Sequence, residues 1–235
     1  MMAEANKPYY SQNGITIYHG DCREIMPTLG TFDVLLTDPP YGIGEAGGKN
    51  HGRDSKFSQK RISAKNPTGK GIPSTKFPVS DWDNQIDEGG VMDGISRTKT
   101  QIVWGGNYYL MMPSSCWLVW DKDNTGDFAD CELAWTNMKK AVRKFRWRWQ
   151  GMLQEHSGDR KETRQHPTQK PLPLMQWCLK QAGDATSVID PFMGSGTTLV
   201  ACKLAGISGT GIEISERYCE IAANRLRQGV LEFPD

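Results

Sequence analysis

The chain has 235 residues, of which 37% are hydrophobic and 23% charged, and its formal net charge is +1. That length supports one sizeable α/β core but not two, and no apolar run approaches the roughly twenty residues of a membrane span. The six cysteines form no C-x-x-C pair, the four histidines lack metal-ligand spacing, and no basic-then-apolar leader opens the sequence, so a soluble, cytoplasmic protein with reduced thiols and no metal is expected.

The first predicted strand is Ile15–Tyr18, followed by Asp21 and Cys22. The next is the apolar run from Phe32 to Leu36, which ends in Asp38-Pro39-Pro40-Tyr41. Two prolines lack amide donors and fix their own φ, so the chain can neither continue as a central strand nor enter a helix normally. The segment instead presents the Asp38 carboxylate and adjoining carbonyls as acceptors without competing donors. An exocyclic amino group on a nucleobase is weakly nucleophilic because its lone pair is delocalised into the ring. Hydrogen bonds from it to Asp38 and to the Pro39 carbonyl would favour a more tetrahedral nitrogen, and Tyr41 could stack on the base. The structural alternative is a strand-terminating turn capped by Asp38.

Residues 43–76 follow, rich in Gly, Ser, Asn and Lys, with eight Lys or Arg against two acids and no sustained period. They read as a flexible basic insertion. Short strands are expected at Thr100–Trp104 and Trp117–Asp121, with a helical or loop segment at Tyr108–Met112 between them and a helix over Asp130–Met138. A second basic segment, 139–149, has six cations and no acid. Within it Lys144-Phe-Arg-Trp-Arg-Trp149 alternates cation and aromatic, which predicts a strand with its rings on one face and Lys144, Arg146 and Arg148 on the other. Helices are expected at Pro173–Ala182 and Ser215–Arg227.

Between those helices, Ser187-Val-Ile-Asp190-Pro-Phe192-Met-Gly194-Ser195-Gly196-Thr197-Thr198 reads as strand, tight glycine turn and helix start. Glycines there permit positive φ and close approach of a ligand to the backbone, and the helix begins with unpaired amide donors. A further strand, 206–212, ends in Glu213. An acid about 20 residues past a glycine loop is where doubly wound folds hold a ribose hydroxyl pair. A nicotinamide or flavin enzyme shares that logic, but the spacing here is not G-x-G-x-x-G.

Taken together, Asp38-Pro-Pro-Tyr41, His166-Pro-Thr-Gln-Lys-Pro171 and Asp190-Pro-Phe-Met-Gly-Ser-Gly-Thr-Thr198, in that order, resemble the beta group of amino-group DNA methyltransferases. With Ile15–Asp21 the resemblance covers residues 13–41 and 98–227. It implies a Rossmann-like seven-stranded methyltransferase sheet in circularly permuted motif order, mostly parallel with one reversed edge strand. It implies S-adenosylmethionine as methyl donor and a base flipped out of double-stranded DNA as acceptor. Carried over, Asp38, Pro39, Pro40 and Tyr41 map to the catalytic base pocket. Asp21 and Cys22 fall near the cofactor adenine, Thr168 and Lys170 near its methionine end, and Asp190, Phe192, Gly194, Ser195, Gly196, Thr197 and Glu213 along the rest of the cofactor.

Asp at the first tetrapeptide position resembles the adenine N6 enzymes, whereas many cytosine N4 enzymes have Ser there. Two rivals are a silent methyltransferase-like DNA-binding protein, which would tolerate erosion of the tetrapeptide or glycine loop, and a protein-amide methylase, whose tetrapeptide usually begins with Asn. The expected organisation is a single domain over 1–235, with the basic loop 43–76 embedded in it and a very small target-recognition region at 139–165. By family analogy the chain is expected to form a homodimer. Lys49, Arg53, Lys56, Lys60, Arg61, Lys65 and Lys70 of the loop, with Lys144, Arg146 and Arg148, are the expected DNA contacts.

Replacing Lys49–Lys70 by a short Gly-Ser linker should leave cofactor binding intact and weaken DNA binding. Each lost phosphate contact should reduce the magnitude of the log affinity against log salt slope by about 0.9. Titrations at several salt concentrations check this, and an unchanged slope would remove the loop from the DNA surface.

Overall fold

The computed structural model describes residues 7–43, 86–123, 129–150, 153–155, 165 and 168–228. Two units are distinguished, Met1–Pro39 with Asp87–Asp235, and Pro40–Ile86. Of the second unit, residues 40–43 and 86 are described, with Gly42 at φ 70°. The predicted basic loop beyond Ile43, with Lys49, Arg53, Lys56, Lys60, Arg61, Lys65 and Lys70, lies outside the described residues, as does His166.

The first unit is built on strands β1 (Tyr10–Gln12), β2 (Ile15–His19), β3 (Phe32–Thr37), β4 (Thr98–Trp104), β5 (Trp117–Asp121), β6 (Cys131–Thr136), β7 (Arg143–Arg146), β10 (Ser187–Asp190) and β11 (Ser208–Glu213). A separate two-stranded ladder pairs β8 (Trp149–Gln150) with β9 (Leu153–Gln154). The helices are α1 (Cys22–Ile25), α2 (Glu88–Ser96), α3 (Leu172–Ala182), α4 (Thr197–Ala205) and α5 (Glu216–Arg227). The large sheet runs in the order β1-β2-β11-β10-β3-β4-β6-β5-β7. The contiguous run from β2 to β4 is parallel, and β6 is antiparallel to both of its neighbours.

Side-chain alternation divides the core into two layers, one on each face of the sheet. Ile15 and Ile17, Val34 and Leu36, Ile102 and Trp104, Leu118 and Trp120, Ala134 and Val188 share one cluster. The intervening Leu35, Val103, Trp135, Ile189 and Ile212 belong to the other. This is the period-two geometry of strands buried on both sides. α3, α4 and α5 cover the first face through Leu174, Cys178, Leu199, Cys202, Ala222 and Leu226. Cys22, Ile25 and Val91, from α1 and α2, cover the second. Each fully buried aliphatic side chain contributes roughly 1.5–3 kcal/mol of transfer free energy.

Strands β3 and β10 are tied together at their amino ends by Asp33. Its Oδ2 accepts from Thr186 N at 3.0 Å, Thr186 Oγ1 at 2.7 Å and Ser187 N at 3.2 Å, and Lys99 donates to Oδ1 at 2.8 Å. The hydrogen bonds from Lys99 and Thr186 hold this carboxyl well below the usual range.

Four expectations change. Among the described residues the sheet has nine strands rather than seven, because β1 and β6 add to the expected set. The expected reversed edge strand is instead an interior one, β6, while β1 is antiparallel at the outer edge. Residues expected to form a helix over Asp130–Met138 form β6. The helical propensity of Glu132, Leu133 and Ala134 yields to two antiparallel ladders, and propensity is a weak prior against such a position. The basic–aromatic segment is a strand only through Arg146. Its alternation nevertheless holds, with Phe145 and Trp147 partly buried, Trp149 buried, and Lys144, Arg146 and Arg148 exposed. Phe145 stacks on Trp147 and Trp177, so the rings are packed into the core. After β4 the chain makes one 3-10 turn, Gly106–Tyr108, and then continues without regular structure to β5.

That turn abuts β6. A Cβ built on Gly106 would meet the Trp135 backbone nitrogen at 3.1 Å and its side chain closer still. Gly106→Ala should therefore lower stability by about 1–3 kcal/mol through overpacking. Denaturant melts decide it, and an unchanged midpoint would mean that the turn yields without cost.

Candidate active site

The carboxyl ends of β3, β10 and β11 each carry an acid of the sequence motifs: Asp38 follows β3, Asp190 ends β10 and Glu213 ends β11. β10 lies between β11 and β3. The chain proceeds from it to β11 on one side, whereas β3 leads to β4 on the other. Such a reversal of strand order opens a crevice at the carboxyl edge, where ligands bind in open α/β sheets.

Asp190 is 2% exposed, and its carboxylate is filled by donors of the chain itself. Oδ1 accepts from Thr37 Oγ1 at 2.8 Å and Phe192 N at 3.1 Å, and Oδ2 from Thr198 Oγ1 at 2.6 Å. This residue, expected to line the cofactor, therefore binds the end of β3, the glycine loop and the start of α4 to one another. Burial pushes its pKa up to about 6, against the pull of those donors.

The glycine loop adopts the positive φ that its sequence requires, 52° at Gly194 and 77° at Gly196. Glu213 holds the loop from the neighbouring strand end. Its Oε2 accepts from Gly194 N at 3.0 Å and its Oε1 from Ser215 N at 2.8 Å. Burial raises the Glu213 pKa, and these amides work against the rise. From behind, Arg225 Nη1 donates to Ser195 O at 2.6 Å and to Thr197 Oγ1 at 3.1 Å, and both Ser195 and Thr197 are buried. A Cβ on Gly196 would lie 2.7 Å from that of Ala222, so α5 packs directly against the turn.

Cys22 and Phe192 lie together. A Cβ on Gly90 would come within 2.8 Å of both, which lets α2 approach them closely. Burial, with Asp87 nearby, pushes the Cys22 thiol up to about 12, so it stays neutral. Asp21 caps α1 through Arg23 N at 2.9 Å and also pairs with the Arg23 guanidinium, which holds its carboxyl low. For S-adenosylmethionine the donor set fits: a glycine loop leading into a helix start, an acid at the next strand end with one backbone amide on each oxygen, and an apolar wall of Phe192 and Cys22.

Lys170, expected near the methionine end of the cofactor, reaches the tetrapeptide acid. Its Nζ is 2.7 Å from Asp38 Oδ2 and 3.0 Å from Glu132 Oε2, and Glu132 also pairs with Lys122. Glu132, Lys122, Thr37 and Arg225 were missed in the sequence. Glu132 had a signal, an acid between Cys131 and the apolar stretch Leu133-Ala134-Trp135, but the helical reading hid it. Thr168 is partly buried beside this segment, and Gln169 accepts at its carbonyl from Trp149 Nε1 at 3.0 Å.

The predicted DNA-contact strand is exposed but charge-compensated. Lys144 pairs with Asp121 at 3.2 Å, and Arg146 and Arg148 both pair with Asp123. The two guanidinium hydrogen bonds hold the Asp123 carboxyl below its ordinary value.

Asp190→Asn removes the titration of the central clamp. Because the folded-state pKa lies above the ordinary value of 3.8, the folded chain binds this proton more tightly than the unfolded one. The resulting stabilisation is complete below about pH 4 and is lost as the pH rises through about 6. The unfolding free energy of the wild type minus that of the variant should therefore rise by up to roughly 3 kcal/mol as the pH falls from 7.5 to 4. A flat difference in denaturant melts across that window would show that Asp190 does not titrate there.

Residues 117–224 match the family model described as DNA methylase, of the N6 and N4 type. The type II methyltransferase M.ScaI of Streptomyces caespitosus is 26% identical over 94% of this chain and 84% of its own length. M2.LlaDCHI of Lactococcus lactis subsp. cremoris is 25% identical over 95% and 93%. Two solved structures share the fold. The M1.HpyAVI-SAM complex has a TM-score of 0.51 at 21% identity, covering 90% of this chain and 99% of that one. The cytosine-N4-specific PvuII DNA methyltransferase has 0.53 at 12%, covering 96% and 91%. With the tetrapeptide and the glycine loop standing at adjacent strand ends, these matches make the chain similar to the amino-group DNA methyltransferases of the N6-adenine and N4-cytosine kinds.

Proposed function

We propose that this enzyme methylates the exocyclic N6 of an adenine flipped out of double-stranded DNA, with Asp38 as the acceptor that activates the amino group. The observation carrying this reading is the Asp38 carboxylate at the end of β3, paired to Lys170 at 2.7 Å and next to the strand end that bears Asp190. Asp rather than Ser at this position favours adenine over cytosine. Asp38 and the Pro39 carbonyl take the two amino hydrogens, Pro40 keeps the segment free of a competing donor, and Tyr41 supplies a ring for the base. When bound, S-adenosylmethionine would supply an electrophilic methyl group, and the Asp38 carboxylate, already accepting a hydrogen bond from the amino group, would take up the proton that the methylated nitrogen releases.

The roles proposed for the chain rest on the family resemblance, with charge and geometry in support. Gly194, Gly196 and the start of α4 accommodate the cofactor's main-chain-facing atoms, Glu213 its ribose hydroxyls, and Phe192 and Cys22 its adenine. Asp21, Thr168, Ser195 and Thr197 shape the rim of that pocket. Alignment and a polarising acceptor suffice for direct transfer to nitrogen, so no nucleophilic cysteine is required. The neutral Cys22 thiol is consistent with this. With so small a region available for target recognition, the reading extends to a homodimer, for which sedimentation with and without duplex is the test.

Incubation with labelled cofactor and mixed-sequence duplex, followed by nucleoside mass analysis, should yield N6-methyladenine. N4-methylcytosine as the product would reverse the choice of base. Asp38→Ala should lower single-turnover methylation by about a hundredfold or more while leaving cofactor affinity within about twofold. Near-normal turnover by that variant would remove Asp38 from the chemistry.

A further inference from the structure

Four charged side chains from four separate segments form one alternating row. Lys122 follows β5, Glu132 lies in β6, Lys170 precedes α3 and Asp38 follows β3. Lys122 pairs with one oxygen of Glu132. Lys170 is 3.0 Å from the other oxygen and 2.7 Å from Asp38. The Lys170 side chain is 6% exposed, so its ammonium depends on these carboxylates. Two indole rings wall the row. Lys170 Nζ lies 6.0 Å from the Trp104 ring and Lys122 Nζ 5.0 Å from that of Trp120, and the two rings meet edge to face at 6.5 Å.

A buried ammonium facing Asp38 alone would concentrate its whole charge on the carboxylate that must accept hydrogens from the base. Sharing the ammonium with Glu132 divides that charge, and Lys122 offsets the negative charge that Glu132 brings in. Burial alone would raise the Glu132 carboxyl, yet Lys170 and Lys122 hold it at about 2, so it stays anionic throughout the working range. Burial alone would lower Lys170, yet Asp38 and Glu132 hold it above its ordinary value. Asp38 also feels the charge of Asp190 on the adjacent strand end.

We infer that Glu132, held by Lys122, is a positioning residue that fixes how tightly Lys170 grips Asp38, and through it how strongly Asp38 accepts hydrogens from the amino group of the base. This rests on Asp38 being the acceptor. Its effect belongs to the methyl-transfer step rather than to binding, because neither Glu132 nor Lys122 has an assigned contact with the cofactor.

The test compares Glu132→Gln, Glu132→Asp and the double variant Lys122→Met/Glu132→Gln with the wild-type enzyme. Glu132→Gln should lower the single-turnover constant by about tenfold or more, with the KM for duplex and the calorimetric Kd for S-adenosylmethionine within about twofold. Glu132→Asp should recover part of that loss. The double variant removes the cation left without its anion, so its melting temperature should return towards wild type while its turnover stays low. A double variant that recovers turnover together with melting temperature would overturn the inference, as would wild-type turnover in Glu132→Gln. Failure of both to fold would overturn it too, by assigning the row to stability. Slow turnover of Asp38→Ala beside full turnover of Glu132→Gln would reject this role alone, whereas full turnover of Asp38→Ala would reject the acceptor reading beneath it.

Discussion

Two aspartates set the spacing of β3 and β10, and the site depends on that spacing. At the amino ends Asp33 gathers donors from Thr186, Ser187 and Lys99. At the carboxyl ends Asp190 gathers donors from Thr37, Phe192 and Thr198. Between them the ladder pairs Val188 with Val34 and Ile189 with Leu35. Beyond that register the strands are free to part, and the Thr37–Asp190 hydrogen bond limits how far they do. A crevice at a switch point needs strand ends that diverge, and a productive one needs a fixed divergence. A side-chain bond between strand ends satisfies both conditions in a way that a further ladder pair could not.

The three acids at these ends are treated in three different ways. Asp190 is filled with neutral donors and buried, which suits a clamp. Glu213 takes one backbone amide on each oxygen, leaving a second lone pair on each for a ligand hydroxyl. Asp38 faces a cation that is itself shared with Glu132. Hydrogen bonds to charged groups contribute about 1.5–3 kcal/mol each, so the identity of the donors decides how much acceptor strength remains for a substrate. On the proposed reading, the same carboxyl chemistry serves as clamp, as cofactor acceptor and as base acceptor according to what surrounds it.

Much of this was legible in the sequence, because an apolar run that ends in an acid marks a strand end locally. Asp38, Asp190 and Glu213 were found that way, and the glycine pattern gave the turn between β10 and α4. Lys170 was found, but not its partner. Its partner Asp38 is 132 residues away, and periodicity carries no information about contacts that distant. Glu132 was hidden differently: Glu, Leu and Ala favour a helix in isolation, and only pairing with β4 and β5 makes them a strand. Arg225 was invisible because it reads as one exposed cation of an amphipathic helix, whereas the fold turns it onto Ser195 and Thr197.

At the basic–aromatic strand the fold adds acids that a local charge count leaves out. Six cations without an acid between residues 139 and 149 suggest an open phosphate surface, but the compensating acids stand one strand away. Asp121 is opposite Arg146 in the β5–β7 register, and Asp123 lies two residues farther on. A phosphate approaching Arg146 or Arg148 must compete with Asp123 for the guanidinium, so each new contact replaces an existing ion pair. Surface ion pairs are weak, about 0–1 kcal/mol, and the exchange is therefore feasible, but its net gain is small. By contrast, residues 43–76 hold eight cations against two acids in sequence, too few to neutralise them locally. Asp121 and Asp123 lower the excess of residues 139–149 from six to four, so the larger excess, six, belongs to residues 43–76, directly after the tetrapeptide, while both segments keep positive charge for a polyanion.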